Sequence, residues 1–236
     1  MCTTCGCDDH HQHDHHQHDH HHGAIVRAEI DVLEKSRRLA DDNRRWLVDR
    51  GVFMLNLMSA PGAGKTTLLE RTIAEIGEPV FVIEGDQATS FDADRIRAAG
   101  AEAVQVNTGT GCHLDPHMVR HALEDLAPPR GALVIVENVG NLVCPALFDL
   151  GEAARVVILS VPEGDDKPRK YPHMFRAATL VLLSKIDLLP YVAFDVERAK
   201  GDLSEVSPRA RVASISAQTG EGVAQWCGWL RDAVAS

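Results

Sequence analysis

The 236-residue chain has no apolar run approaching the roughly 18 residues that span a bilayer. Its N-terminus lacks both the basic start and the apolar stretch of a secretory signal. These two absences predict a cytoplasmic protein that does not insert into membrane. Excess positive charge is also missing: Lys and Arg number 24 against 34 Asp and Glu, a formal charge of −10. So acidic a chain argues against nonspecific attraction to nucleic acid or anionic lipid. Cysteines number six, spread too widely for a small disulfide framework. In a reducing compartment paired thiols more often serve metal or redox chemistry. No internal repeat is present.

What the chain does have is concentrated at its start. Nine of the 13 histidines lie between His10 and His22, and Cys2, Cys5 and Cys7 stand just ahead of them. Thiolates and imidazoles suit nickel, copper and zinc, whereas the Asp8, Asp9, Asp14 and Asp19 oxygens alone would suit harder ions. A purification tag is usually an unbroken histidine run; here Asp and Gln interrupt the tract and a Cys-x-x-Cys-Gly-Cys opening precedes it. Residues 1–23 therefore read as a metal-binding tail outside any core.

About 210 residues remain, enough for one substantial core. Residues 24–50 read as an amphipathic helix carrying Ile25, Val26, Ile30, Leu33, Trp46 and Leu47 among charged neighbours. It opens a single domain over 24–236. Seven short apolar runs follow, at Val52–Met58, Val80–Ile83, Ala103–Val106, Leu133–Val136, Val156–Val161, Leu180–Leu183 and Val212–Ile215, with helical segments between them. That alternation predicts an α/β fold with a doubly wound, mainly parallel sheet. Over Gly222–Val234 the period is helical, which makes Cys227 a core residue.

The first run leads into Ser59-Ala60-Pro61-Gly62-Ala63-Gly64-Lys65-Thr66-Thr67. Strand, Gly-rich loop, Lys-Thr and helix make a phosphate-binding loop, with Ser59 in place of the usual first Gly. Backbone N–H groups of Gly62, Ala63, Gly64 and Thr67 face phosphate oxygens, Lys65 reaches the β- and γ-phosphates, and the Thr66 hydroxyl ligates Mg²⁺. Ser184-Lys185-Ile186-Asp187 resembles the Asn-Lys-x-Asp guanine motif, with Ser184 for Asn. The Asp187 carboxylate accepts from guanine N1–H and the 2-amino group, and Lys185 covers the base. Ser216-Ala217-Gln218 resembles the loop that meets guanine O6. GTP is thus the expected substrate and GDP the product. Glu137, ending a strand, resembles the acid that holds Mg²⁺; Gly140 offers an N–H to the γ-phosphate. Asp86, ending another strand, is a candidate for the Mg²⁺ shell or for orienting the attacking water, its plainer alternative being a turn residue.

A second metal-ligand set lies inside the domain. Cys112-His113 follows one strand and Cys144 lies just past Gly140, so both loops open on the nucleotide edge of the sheet. Three donors fall short of the four of a closed tetrahedral site, so water or a second subunit completes the shell, which suits a metal that must be handed on.

Taken together, the Met1–Cys7 opening, the His tract, the Ser59–Thr67 loop, Glu84–Gln87, Gly111–His113, Glu137–Pro145 and Lys185–Val192 resemble HypB, the family of hydrogenase nickel-incorporation GTPases of the SIMIBI class. The resemblance implies a metallochaperone that dimerises around GTP and delivers Ni²⁺ to the [NiFe] hydrogenase large-subunit precursor with a zinc- and nickel-binding HypA-type accessory protein. It makes Cys2, Cys5 and Cys7 the high-affinity nickel ligands and Cys112, His113 and Cys144 a nucleotide-sensitive site for Ni²⁺ or Zn²⁺. It also places Asp165–Pro168 near a dimer interface, where Lys167 reaches the partner's nucleotide or simply lies in a solvated loop. Two alternatives differ in what they require. The urease nickel GTPases resemble Cys-Pro-His where this chain has separate Gly-Cys-His and Val-Cys-Pro loops. A nickel store with a vestigial GTPase would not keep Lys65, Thr66, Asp86 and Glu137 intact.

Overall fold

The structure, a computed structural model, describes residues 34–86, 91–109 and 111–235. Cys2, Cys5, Cys7, the His tract and the first part of the expected N-terminal helix lie outside the described residues. The chain divides into Met1–Lys35 and Ser36–Ser236, and the second unit carries the architecture described here.

All seven apolar runs form strands: β1 Phe53–Ser59, β2 Val80–Asp86, β3 Glu102–Asn107, β4 Leu133–Glu137, β5 Ala154–Ser160, β6 Leu180–Ser184 and β7 Arg211–Ile215. They make one sheet in the order β3-β2-β4-β1-β5-β6-β7, and every pairing is parallel. Five of the strands are buried along nearly their whole length because helices cover both faces, so they read as continuous Val, Ile and Leu rather than as alternation.

The described part of helix α1 runs over 34–50, followed by α2 Lys65–Ile76, α3 Phe91–Ala98, α4 Pro116–Leu126, α5 Lys167–Lys170, α6 Pro172–Arg176, α7 Val196–Val206 and α8 Val223–Ala235. Leu55, Leu57, Val82, Ile135 and Ile158 pack with Leu69 of α2 and Trp226, Cys227 and Leu230 of α8. On the other face Met54, Ile83, Val134 and Val136 pack with Leu47 of α1 and Val119 and Leu123 of α4. Local signals set the helix ends: Asp115 caps α4, its carboxylate accepting from Met118 N at 2.8 Å, and Pro116 follows at the first turn.

Parallel strands direct all their carboxyl ends to one edge. β1 is central, and the chain order reverses around it, leaving a crevice where ligands bind in such sheets. Register then sets which side chains meet there: Glu137 of β4 lies beside Leu57 of β1 and Glu84 of β2.

Candidate functional site: a nucleotide cavity beside a cysteine–histidine cluster

The phosphate loop leaves β1 at Ser59 and enters α2 at Lys65. Gly62 and Gly64 have φ of 72° and 97°, left-handed values that a Cβ disfavours, so the loop can turn back on itself only with glycine there. Ser59 keeps the turn without glycine: it is fully buried, donates from Oγ to Ala60 O at 2.7 Å and accepts from Lys65 Nζ at 3.1 Å. Gly140 lies against the loop from outside, since a Cβ on it would stand 2.9 Å from Pro61 Cα.

A cavity of about 640 Å³ opens over the loop, lined from Gly62 to Thr67 at one end and by Lys185, Asp187, Ala217 and Gln218 at the other. The two ends are tied together. Ser184 Oγ donates to Ala63 O at 3.0 Å and Lys185 Nζ to Gly62 O at 2.7 Å, so Ser184 is engaged with the phosphate loop rather than the base. Lys185 takes φ 59°, and Asp187 Oδ1 accepts from Ser216 Oγ at 2.6 Å, which holds the carboxylate in place at that end of the cavity.

The acids sit beneath the phosphate end. Thr66 Oγ1 donates to Glu137 Oε1 at 2.8 Å, while Glu137 Oε2 is buried without a hydrogen-bond partner. A hydroxyl beside a half-satisfied buried carboxylate is an oxygen donor set that fits Mg²⁺. Burial pushes Glu137 up to about 7, opposed by Lys65 and the Thr66 bond. Burial likewise lowers Lys65, with Glu137 opposing. Glu84 is pushed up to about 8, first by burial and then by Glu137, Asp86 and Asp92, and its Oε2 also has no partner. Asp86 closes β2, its carbonyl accepting from Thr108 N at 2.9 Å. The described residues lining the cavity include Asp92 of α3 and not Asp86.

Glu84 gives a pH prediction. Its folded pKa, about 8, lies above the ordinary 4.5, so its burial costs nothing below the lower value and destabilises increasingly up to the higher. Glu84→Gln removes that cost. Nucleotide-free Glu84→Gln should exceed the parent by on the order of 2–4 kcal/mol at pH 9 and match it near pH 4.5. Urea unfolding at the two pH values checks this; equal stability at pH 9 would refute it.

Cys112 Sγ, a His113 ring nitrogen and Cys144 Sγ lie within 4.8 Å of one another, and all three residues are half-buried. Two loops bring them together across 32 residues of chain. Thr108 braces the first loop, accepting from Gly111 N at 2.8 Å through its carbonyl and donating to Gly111 O at 2.9 Å through its hydroxyl. Asn141 Oδ1 accepts from Val143 N at 2.8 Å and Cys144 N at 3.4 Å, which turns Cys144 inward. Phe148 stacks on His113 with ring centroids 3.9 Å apart and 13° between planes, fixing the imidazole's orientation. Burial lowers the His113 pKa, favouring the neutral ring a metal needs; the Cys112 hydrogen bond, then burial, raises that of the Cys144 thiol. Two sulfurs and one nitrogen suit nickel or zinc and leave a coordination position open.

Other expected residues fall elsewhere. Lys167 Nζ lies 5.5 Å from the Tyr171 ring centroid. Cys227 is buried in the core, as its helical period predicts. On α4, His117 and His121, not singled out from the sequence, bring their Nε2 atoms to 3.2 Å on an exposed face. At that separation one imidazole donates a hydrogen bond to the other. The signal was there: two histidines four residues apart share one side of a helix.

The fold, the phosphate loop and the Lys-x-Asp turn together define a P-loop GTPase. A family described as CobW/HypB/UreG, nucleotide-binding domain, matches residues 53–214. Hydrogenase maturation factor HypB of Rhizobium leguminosarum bv. viciae is 54% identical over 208 residues, spanning 87% of this chain and 70% of the relative. HypB of Archaeoglobus fulgidus has a crystal structure that superposes with a TM-score of 0.79 at 41% identity, covering 85% of this chain and 99% of its own. Another crystal structure, HypB of Helicobacter pylori in complex with nickel, gives 0.81 at 38% identity over 85% and 95%. The chain belongs to the CobW/HypB/UreG family, as one of its HypB hydrogenase maturation factors.

Proposed function

We propose that the protein is a nickel metallochaperone in which GTP binding and hydrolysis gate dimerisation and transfer of Ni²⁺ to the [NiFe] hydrogenase large-subunit precursor. The observation that carries this reading is the convergence of Cys112, His113 and Cys144 on the sheet edge that holds the phosphate loop, with Cys144 four residues past Gly140 and Gly140 against Pro61. A γ-phosphate that reorders the Gly140 segment moves one arm of the metal site with it.

The parts then have assigned roles. Gly62, Ala63, Gly64, Lys65 and Thr67 cradle the phosphates; Lys185, Asp187, Ser216, Ala217 and Gln218 hold guanine. Thr66 and Glu137 would hold Mg²⁺, which would neutralise charge on the β- and γ-phosphate oxygens. Asp86 is assigned a part in that shell or in orienting the attacking water. With no strong general base in view, hydrolysis rests on electrostatics and turns over slowly. Nickel is cargo: Cys2, Cys5 and Cys7 hold it tightly, the His tract adds weak sites, and the internal site, which zinc also suits, holds it in a nucleotide-dependent way. Its three donors leave room for a ligand from a second copy, and Val143 and Leu147, exposed apolar side chains flanking Cys144, supply contact surface for a homodimer. A HypA-type accessory protein is the expected relay partner, and the cytoplasm, where a hydrogenase precursor is loaded, the expected compartment.

Nickel titration of three proteins tests the assignment. Cys112→Ala/Cys144→Ala should lose the nucleotide-sensitive ion and keep the tightest one. Deleting residues 8–22 should remove only weakly held ions. Loss of the tightest ion on replacing Cys112 and Cys144 would reverse the roles of the two sites.

A further inference from the structure

Strand β1 is buried on both faces, yet its centre holds Asn56, with 0% of its surface exposed. A core amide is costly unless bonded, and Asn56 is bonded on both sides. Its Oδ1 accepts from Asn138 Nδ2 at 3.1 Å, and its Nδ2 donates to Glu152 Oε1 at 3.4 Å. Asn138 and Glu152 are buried too, and each uses its remaining acceptors on backbone or on Arg155. Asn138 Oδ1 accepts from Leu114 N at 3.3 Å and Val139 N at 3.0 Å. Glu152 Oε2 accepts from Leu150 N at 2.7 Å, and Arg155 Nε donates to Oε1 at 2.6 Å.

The backbone groups this chain reaches are informative. Val139 precedes Gly140, the residue packed on the phosphate loop. Leu114 follows His113 directly. Leu150 lies two residues past Phe148, which stacks on His113, and six past Cys144. Asn43 of α1 closes the far side, donating from one nitrogen to Pro116 O at 2.7 Å and Leu150 O at 3.0 Å. None of Asn56, Asn138 or Glu152 lines the nucleotide cavity, so a direct role in binding GTP does not account for them.

We propose that Asn56, Asn138 and Glu152 are positioning residues forming the connection through which the Gly140 segment and both arms of the Cys112–His113–Cys144 site change arrangement together. Asn138 follows Glu137 and precedes Val139, so a shift of the Gly140 segment displaces its amide. In a buried, fully bonded network that displacement breaks bonds to Leu114 and Asn56 unless those groups follow. This inference rests on the reading that nucleotide and internal metal are coupled.

The test uses the full chain with Cys2, Cys5 and Cys7 replaced by Ser, so that nickel–thiolate charge-transfer absorbance reports only the internal cysteines. Nickel affinity is measured with GDP and with a nonhydrolysable GTP analogue, and their ratio is compared across variants. The parent ratio should fall in the range of about 5- to 150-fold typical of coupled sites. Asn56→Leu, of similar size without polar atoms, and Glu152→Gln, which must point an N–H₂ at a donor, should bring it within about twofold of one while GDP-state nickel affinity changes little. A purely structural role would lower stability and leave the ratio alone. Folded variants that keep the parent ratio overturn the proposal; if Asn56→Leu does not fold, Glu152→Gln decides. A parent ratio of one overturns instead the coupling reading on which it rests.

Discussion

Lys65→Ala should lower the single-turnover rate of GTP hydrolysis by about 10²- to 10³-fold, the usual loss when one preorganised donor to a developing charge is removed. Among the described residues, Lys65 Nζ bonds only to Ser59 Oγ, so two of its three N–H donors are left for phosphate oxygens. It feels the charge of Glu137 and is largely out of water, where a charge acts more strongly on a transition state than at the surface. Phosphate release after mixing excess enzyme with GTP measures the effect, and a rate within about threefold of the parent would remove Lys65 from the mechanism.

Asp187→Asn should weaken GTP binding by about 2–4 kcal/mol, roughly 30- to 900-fold, and shift preference toward xanthosine triphosphate. A carboxylate accepts from two adjacent guanine donors; an amide puts one N–H₂ against them, which suits a base carrying a carbonyl there. The Ser216 hydroxyl, 2.6 Å from Asp187 Oδ1, keeps the side chain in place for either base. Ser184 is bonded to Ala63 O of the phosphate loop, which leaves Asp187 as the carboxylate expected to meet the two guanine donors. Competition of ATP, GTP and xanthosine triphosphate against a fluorescent nucleotide reads this directly. Equal ATP and GTP affinity in the parent would defeat the guanine assignment.

Most of the sheet was legible because a strand buried on both faces writes itself as an unbroken Val, Ile and Leu run. The phosphate loop, the Lys185–Asp187 turn at the same cavity and the Cys112, His113 and Cys144 grouping were legible because each depends on residues near one another in sequence or on the common edge of a parallel sheet. What was hidden depends on register. Glu84 reads as an ordinary strand end until pairing sets it beside Glu137, 53 residues away. Asn56 reads as one polar interruption in an apolar run; its partners lie 82 and 96 residues further on. Strand β2 runs on past its apolar run to Asp86, the strand end read from the sequence, because Glu84-Gly85-Asp86 pairs with β3. Gly85 permits this, since a Cβ there would stand 2.8 Å from the Leu114 side chain.

The most direct test of nucleotide–metal coupling is the affinity of the full chain for a nonhydrolysable GTP analogue, measured with and without saturating nickel while light scattering follows the mass. Because linkage is reciprocal, nickel should change nucleotide affinity by the same factor by which the nucleotide changes nickel affinity, about 5- to 150-fold, with the analogue favouring the dimer and GDP the monomer. Nucleotide isotherms that superimpose with and without nickel, at one mass in both nucleotide states, would contradict the account.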